Sequence, residues 1–179
     1  FHELPYMTQC ITESLRMWPA LANGTYRELE KDETIHGINN EFITITKGTY
    51  CQIMNWTRHR NPDLWDDPDT FNPEREFQGS EIWDFKGFGH YNVSSERYSP
   101  FTYGPRDCIG KNFSQIEMRL ILLHLLKNYN FSLTEKQANT YVQEDMSYNS
   151  FTMGPRNIYN EVMEDSNQGM YVNITIRDK

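Results

Sequence analysis

The sequence predicts an α+β fold, mainly helical, on three observations. Two segments, 4–17 and 111–127, place apolar residues at helical spacing. Between them, 34–56 holds short runs of β-formers around a Thr46-Lys47-Gly48 turn. Near the C-terminus, 169–177 alternates at the two-residue period of a strand. With 179 residues, the chain is long enough for one domain with its own core.

Each element has a local reason. In the first helix, Leu4 to Met17, Pro5 suits a helix start and Met7, Cys10, Ile11, Leu15 and Trp18 form a stripe that Pro19 ends. Glu13 and Arg16 lie three apart on this helix. Taken alone, such a pair is a surface ion pair worth roughly 0.2–0.5 kcal/mol. Thr34-Ile35 and Phe42 to Ile45 read as short strands, and Thr49 to Trp56 as a longer one with Tyr50, Gln52, Met54 and Trp56 on one side. Asp63 to Asp69 is expected to be a short acidic helix. From Gln78 to Pro100 the chain is rich in Gly and aromatics without periodicity, and Trp83, Phe85, Phe88 and Tyr91 are expected to pack as a satellite core. The long helix Lys111 to Lys127 carries Phe113, Ile116, Leu120, Leu123 and Leu126 on one face. Gly169 to Arg177 alternates as a strand, and Glu161 to Gln168, acidic and Asn-rich, is expected to be a mobile loop.

Composition narrows the function. A net charge of -8, from 17 basic against 25 acidic residues and with no Lys/Arg-rich run, argues against a nucleic-acid partner. The mean hydropathy of -0.76 is polar for a globular protein, and the longest apolar run is too short to span a bilayer. Cys10, Cys51 and Cys108 are odd in number and far apart, which suits a reducing compartment better than a disulfide framework or a zinc site.

The chemistry concentrates in Phe101 to Gly110, Phe-Thr-Tyr-Gly-Pro-Arg-Asp-Cys-Ile-Gly. This loop delivers Cys108 to the start of the long helix, where free backbone N–H groups and the positive dipole end favour an anionic sulfur. Arg106 adds a cation, Gly104 can take positive φ in a tight turn, and Gly110 lets a flat ligand approach the backbone. On residue types alone, a buried structural cysteine beside an arginine is the commoner explanation. A thiolate held at the start of a helix in this way is a good axial ligand for haem iron.

Phe-x-x-Gly-x-Arg-x-Cys-x-Gly resembles, at every fixed position, the haem-binding signature of the cytochromes P450, the haem-thiolate monooxygenases. The order Glu-x-x-Arg (Glu13, Arg16), then Pro73-Glu74-Arg75, then the Cys loop is similar to that family as well. The resemblance implies a buried triad of Glu13, Arg16 and Arg75, with Cys108 as the proximal iron ligand and catalytic centre. It also implies that Arg106 and Arg27 neutralise haem propionates, that Phe101 shields the sulfur, and that Gly110 with Ser114 keeps the helix close to the macrocycle. Ala20 to Thr25 would cross the substrate pocket, and His59 in His59-Arg60-Asn61-Pro62 would be a structural hydrogen-bonding residue. Tyr129 to Leu133, Ser150 to Pro155 and Gly169 to Arg177 would be the family's closing strands. Three departures stand out: Glu76 intervenes before Phe77, Ser114 replaces a frequent Ala, and the loop before Arg27 is about one residue longer than usual.

The similarity extends over residues 1–179 but corresponds to the C-terminal part of the cytochrome P450 fold. It implies a partial domain, its N-terminal portion lacking, whose helices expose faces meant for absent partners. The implied reaction is haem-dependent insertion of one oxygen atom from O2 into a small, apolar organic substrate, with electrons from a reductase or ferredoxin. A haem-thiolate isomerase or dehydratase acting on peroxides, and an inactive truncated fragment, are the alternatives. Membrane contact would run only through the absent portion, placing the full-length protein at the cytoplasmic face of the endoplasmic reticulum if it carries an anchor.

Overall fold

A computed structural model describes residues 4–37, 39–83, 95–102, 104–135, 142–144, 155–157 and 172–177. Its first helix, α1 (Pro5–Met17), starts with proline at the helix N-terminus and stops before Pro19. Four two-stranded antiparallel sheets follow among the described residues. β1 (Thr25–Glu28) pairs with β4 (Tyr50–Ile53), setting Arg27 opposite Cys51. β2 (Glu33–His36) pairs with β3 (Phe42–Ile45), and a short helix, α2 (Asn55–His59), follows β4. The long helix α3 (Lys111–Asn128) runs directly into β5 (Tyr129–Leu133), which pairs with β8 (Val172–Ile176), while β6 (Val142–Glu144) pairs with β7 (Pro155–Asn157).

Gly24 makes the first of these pairings possible. It sits at φ +67°, and a Cβ there would fall 1.7 Å from the Ile53 carbonyl oxygen. No other residue lets the chain turn into β1 so close to β4.

The structure departs from the sequence expectations at several places. β1 is a strand that alternation did not mark. The strand expected to reach Trp56 ends at Ile53, because β1 offers four partners and no more. Beyond it the Asn55 amide donates to the Leu21 carbonyl (3.0 Å) and the Trp56 N–H to that of Ala22 (3.0 Å), so contacts to the preceding loop replace the ladder. Residues 63–69 form turns instead of a helix. Pro68 has no N–H to give, Asp67 sits at φ 43°, and the carbonyls of Asp66, Asp67, Pro68 and Thr70 face arginines, not amides four residues on.

On α1 the most deeply buried residues are Thr12, Glu13, Arg16 and Met17 with Ile11, whereas Trp18 is exposed. On α3 the apolar face is largely outward: Phe113 is 66% exposed and Leu120 55%, while Gln115 and Arg119 are buried. Arg119 stacks over the Trp83 ring at 4.3 Å and bonds Gln115 and Thr8, so a polar stripe docks α3 on α1. The strand expected to end at Pro155 and the loop at 161–168 lie largely outside the described residues, as do Phe85, Phe88 and Tyr91.

Trp83 itself belongs to the main described core with Trp65, Phe77 and Tyr98, against which Leu15, Phe101 and Ile116 pack. The rings meet edge to face, at 5.5 Å for Trp65–Phe77 and for Phe77–Tyr98, the arrangement their quadrupoles favour. Arg97 stacks on Trp65 at 4.2 Å and Arg16 at 5.3 Å. Trp65→Ala is therefore expected to lower stability by about 3–5 kcal/mol, read as a shift in the urea midpoint with an unchanged slope.

Candidate functional site

The site rests on a buried carboxylate. Glu13 is fully buried and its oxygens accept from Arg16 Nε (2.7 Å) and Nη2 (2.9 Å), from Arg75 Nε (3.2 Å) and from the Asn72 N–H (3.0 Å). The structure thus brings Glu13, Arg16 and Arg75 together. The two guanidiniums leave an excess of positive charge, which backbone carbonyls absorb. Arg16 donates to His59 (2.7 Å), Pro68 (2.8 Å) and Thr70, and Arg75 to Asp66, Asp67 and Thr70. Glu76, the departure after Arg75, leaves Phe77 in the aromatic core.

His59 carries this network to the Cys loop. Its ring is fully buried, stacks on Tyr98 at 5.2 Å, and Nε2 accepts the Ser99 N–H at 3.0 Å. Accepting there puts the ring proton on Nδ1. Desolvation, then the charge of neighbouring Arg58, pushes the His59 pKa down to about 3. A second buried carboxylate, Glu81, receives Arg97 Nε and Nη2 (both 2.9 Å) and the Ser95 hydroxyl, fixing the chain just before the loop. Sequence reasoning gave His59 only a general structural role and missed Glu81. Its partner Arg97 lies 16 residues away, so no local spacing signals the pair.

The Cys loop closes on itself. The Cys108 N–H donates to the Phe101 carbonyl (2.9 Å), Asp107 N–H to Gly104 (3.0 Å), and Lys111 N–H back to Cys108 (3.2 Å). Gly104 takes φ +85°. Thr102 takes φ 63°, a costly conformation for a β-branched residue, and its hydroxyl donates to the Arg106 carbonyl at 3.2 Å. Lys111 pairs with Asp107 one turn back. Cys108 and Arg106 are exposed, and a Cβ on Gly110 would stand 3.8 Å from Sγ, so glycine keeps that side of the sulfur open. Phe101 packs toward the aromatic core, and Ser114 is half-buried with its hydroxyl donating to the Lys111 carbonyl (3.0 Å).

Arg27 lies apart from this loop, exposed on β1, with Nη1 donating to the Tyr26 carbonyl. It lines a cavity of about 410 Å³ that also reaches Thr102 of the loop. The same cavity is lined by Asn55, Arg58, Ser99 and Glu96. Among the described residues no group of three or more His, Cys, Asp or Glu could hold a metal ion by protein ligands alone. A single exposed sulfur beside arginines fits a metal that arrives inside a prosthetic group bearing carboxylates.

The Cytochrome P450 family profile matches residues 1–162, so the chain belongs to the cytochrome P450 family, a family of haem-thiolate proteins. Cytochrome P450 3A18 of Rattus norvegicus is 36% identical over 134 residues, covering 75% of this chain and 24% of that protein. Cytochrome P450 monooxygenase tpeC of Talaromyces stipitatus is 35% identical over 130 residues, covering 73% and 23%. Putative cytochrome P450 CYP13A4 of Caenorhabditis elegans is 34% identical over 157 residues, covering 87% and 27%. The chain thus spans about a quarter of the length of these relatives. Retinoic acid-bound cyanobacterial CYP120A1 superposes with a TM-score of 0.69 at 25% identity, over 98% of this chain and 33% of that one. A zebra fish cytochrome P450 with abiraterone, at 21% identity and TM-score 0.67, shares the fold. The partial cytochrome P450 fold follows, and family membership implies an oxidoreductase with haem as cofactor at the level of the family.

Two predictions follow from the buried groups. Glu13→Ala leaves two arginines facing each other in a dry site and should cost about 3–5 kcal/mol, measured by chemical denaturation; an unchanged midpoint would reduce the network to surface pairing. His59 makes stability depend on pH. Its neutral form is kept in the folded protein down to about pH 3, whereas the unfolded chain takes up the proton near its ordinary 6.5. The contribution is therefore complete above about pH 6.5 and declines as pH falls, by up to about 1.4 kcal/mol per pH unit, with no further loss below about pH 3. His59→Gln should flatten that acid limb in denaturation curves collected across pH 4–7.

Proposed function

We propose that this chain forms the thiolate side of the haem site of a cytochrome P450 monooxygenase. The observation that carries the reading is Cys108, exposed on a self-bonded loop at the start of α3 with Gly110 leaving the sulfur accessible. The residues present fit the prosthetic group: one open sulfur, cations on the same loop and across a cavity, and a buried Arg58 Nε that has no partner. When bound, the haem supplies activation of O2 and transfer of one oxygen atom to a small, apolar organic substrate, with electrons from a reductase or ferredoxin.

The chain's own residues do the rest. Cys108 would hold the iron through its thiolate. Arg106 and Arg27 would compensate the propionate charges. The Phe101–Cys108 hydrogen bond and the small Gly110 and Ser114 keep the loop and α3 close to the macrocycle. Glu13, Arg16 and Arg75 hold the scaffold behind the loop through His59. The monooxygenase name of the fungal relative, and the retinoic acid bound to the cyanobacterial one, support this reaction class and an apolar substrate. Placement at the endoplasmic reticulum would need an anchor, and among the described residues no helix is long and apolar enough to cross a membrane.

The test is spectroscopic. In the haem-loaded protein, Cys108→Ser is expected to abolish the thiolate-type shift of the reduced carbon-monoxide spectrum, because a neutral hydroxyl donates far less charge to iron. A retained shift would remove Cys108 as the ligand.

A further inference from the structure

The cavity beside the Cys loop holds a cation for which the sequence resemblance gave no role. Arg58 lies on α2, directly before His59, and reaches the cavity that Arg27 lines from β1. Its Nη2 donates to Asn55 Oδ1 (2.9 Å) and to the Ser99 hydroxyl, both neutral acceptors. Its Nε is buried without a partner. Among the described residues no carboxylate lies within ion-pairing distance of Arg58 or Arg27; Glu96 lines the cavity as its lone acidic group among the lining residues. The guanidinium is thus partly desolvated, with a donor unused, and burial lowers its pKa. A cation in that state is costly unless an anion completes it.

The position identifies the anion. The cavity is bounded by Ser99 and Thr102, and Thr102 bonds the Arg106 backbone, so it opens beside the loop that carries Cys108. Its volume of about 410 Å³ is small for a ligand pocket but ample for a carboxylate arm and its waters. We propose that Arg58, with Arg27, clamps a haem propionate, making Arg58 a cofactor-binding residue of this chain. The assignment rests on the haem reading above. Arg27 reaches the carboxylate from the strand and Arg58 from the helix. The Asn55 and Ser99 bonds hold the Arg58 fork in place, so little side-chain freedom is lost on binding.

The test compares haem with its dimethyl ester, in which both propionate charges are removed, in unmodified protein, Arg58→Gln and Arg58→Lys. The readout is the rate at which each porphyrin is lost to excess apomyoglobin, with the carbon-monoxide spectrum recorded in parallel. Unmodified protein is expected to lose the ester at least tenfold faster than haem. In Arg58→Gln that ratio should shrink about tenfold, chiefly through faster haem loss, and in Arg58→Lys it should be intermediate. Equal acceleration of both porphyrins, or an unchanged ratio in a variant with a normal spectrum, would overturn the Arg58 assignment alone. Failure of the unmodified protein to give a thiolate spectrum would overturn the haem reading and the propionate assignment with it.

Discussion

The burial of Glu13 is the constraint on which the rest of the described structure depends. A carboxylate withdrawn from water must be matched in charge and in hydrogen bonds, and one arginine three residues away does not suffice. The match is completed by Arg75 and the Asn72 N–H from more than 50 residues away in sequence. The surplus guanidinium protons then fix where the carbonyls of 59, 66–68 and 70 must point. A segment whose carbonyls are committed in this way cannot wind into a helix. One buried charge thus dictates a turn, the end of a short helix and the seat of the chain before Phe77.

From there the influence passes to the chemistry through neutral contacts. The His59 carbonyl receives Arg16 while its ring receives the Ser99 N–H, so one residue joins the ion network to the strand of chain entering the Cys loop. Depressing its pKa keeps the ring neutral and able to accept across the ordinary pH range. The aromatic cluster lies between the same elements, and Arg16 and Arg97 stack on Trp65 while donating to Glu13 and Glu81 respectively. Ion pairs and apolar packing share the same side chains, which makes their energies inseparable by single substitutions.

The loop around Cys108 differs in kind. Its internal bonds run mostly backbone to backbone, its sulfur is open, and it includes a β-branched residue at positive φ whose hydroxyl also bonds within the loop. Rigid support lies behind it and unmet polar capacity beside it, as expected of a site shaped for a ligand rather than for stability alone.

The sequence by itself determined α1, α3, the short strands β2 and β3, and the Cys loop, because each depends on residues near one another: apolar periodicity, prolines at the helix boundaries, a glycine needing positive φ. Spacing marked Cys108 and Arg106 as parts of one loop and set Glu13 and Arg16 on one helix face, whereas the burial of that pair with Arg75 was expected only from the family resemblance. Tertiary structure decided the remainder. β4 ends where β1 stops offering partners, and 63–69 is unwound because distant arginines take its carbonyls. The outward apolar face of α3 and its buried Gln115–Arg119 stripe could not be read from periodicity, since hydrophobicity says which face would prefer burial and not which surface is there to bury it. Arg58 was invisible for a related reason: a desolvated donor without an anion is defined by what surrounds it in space, and its surroundings come from α2, β1 and the Cys loop together.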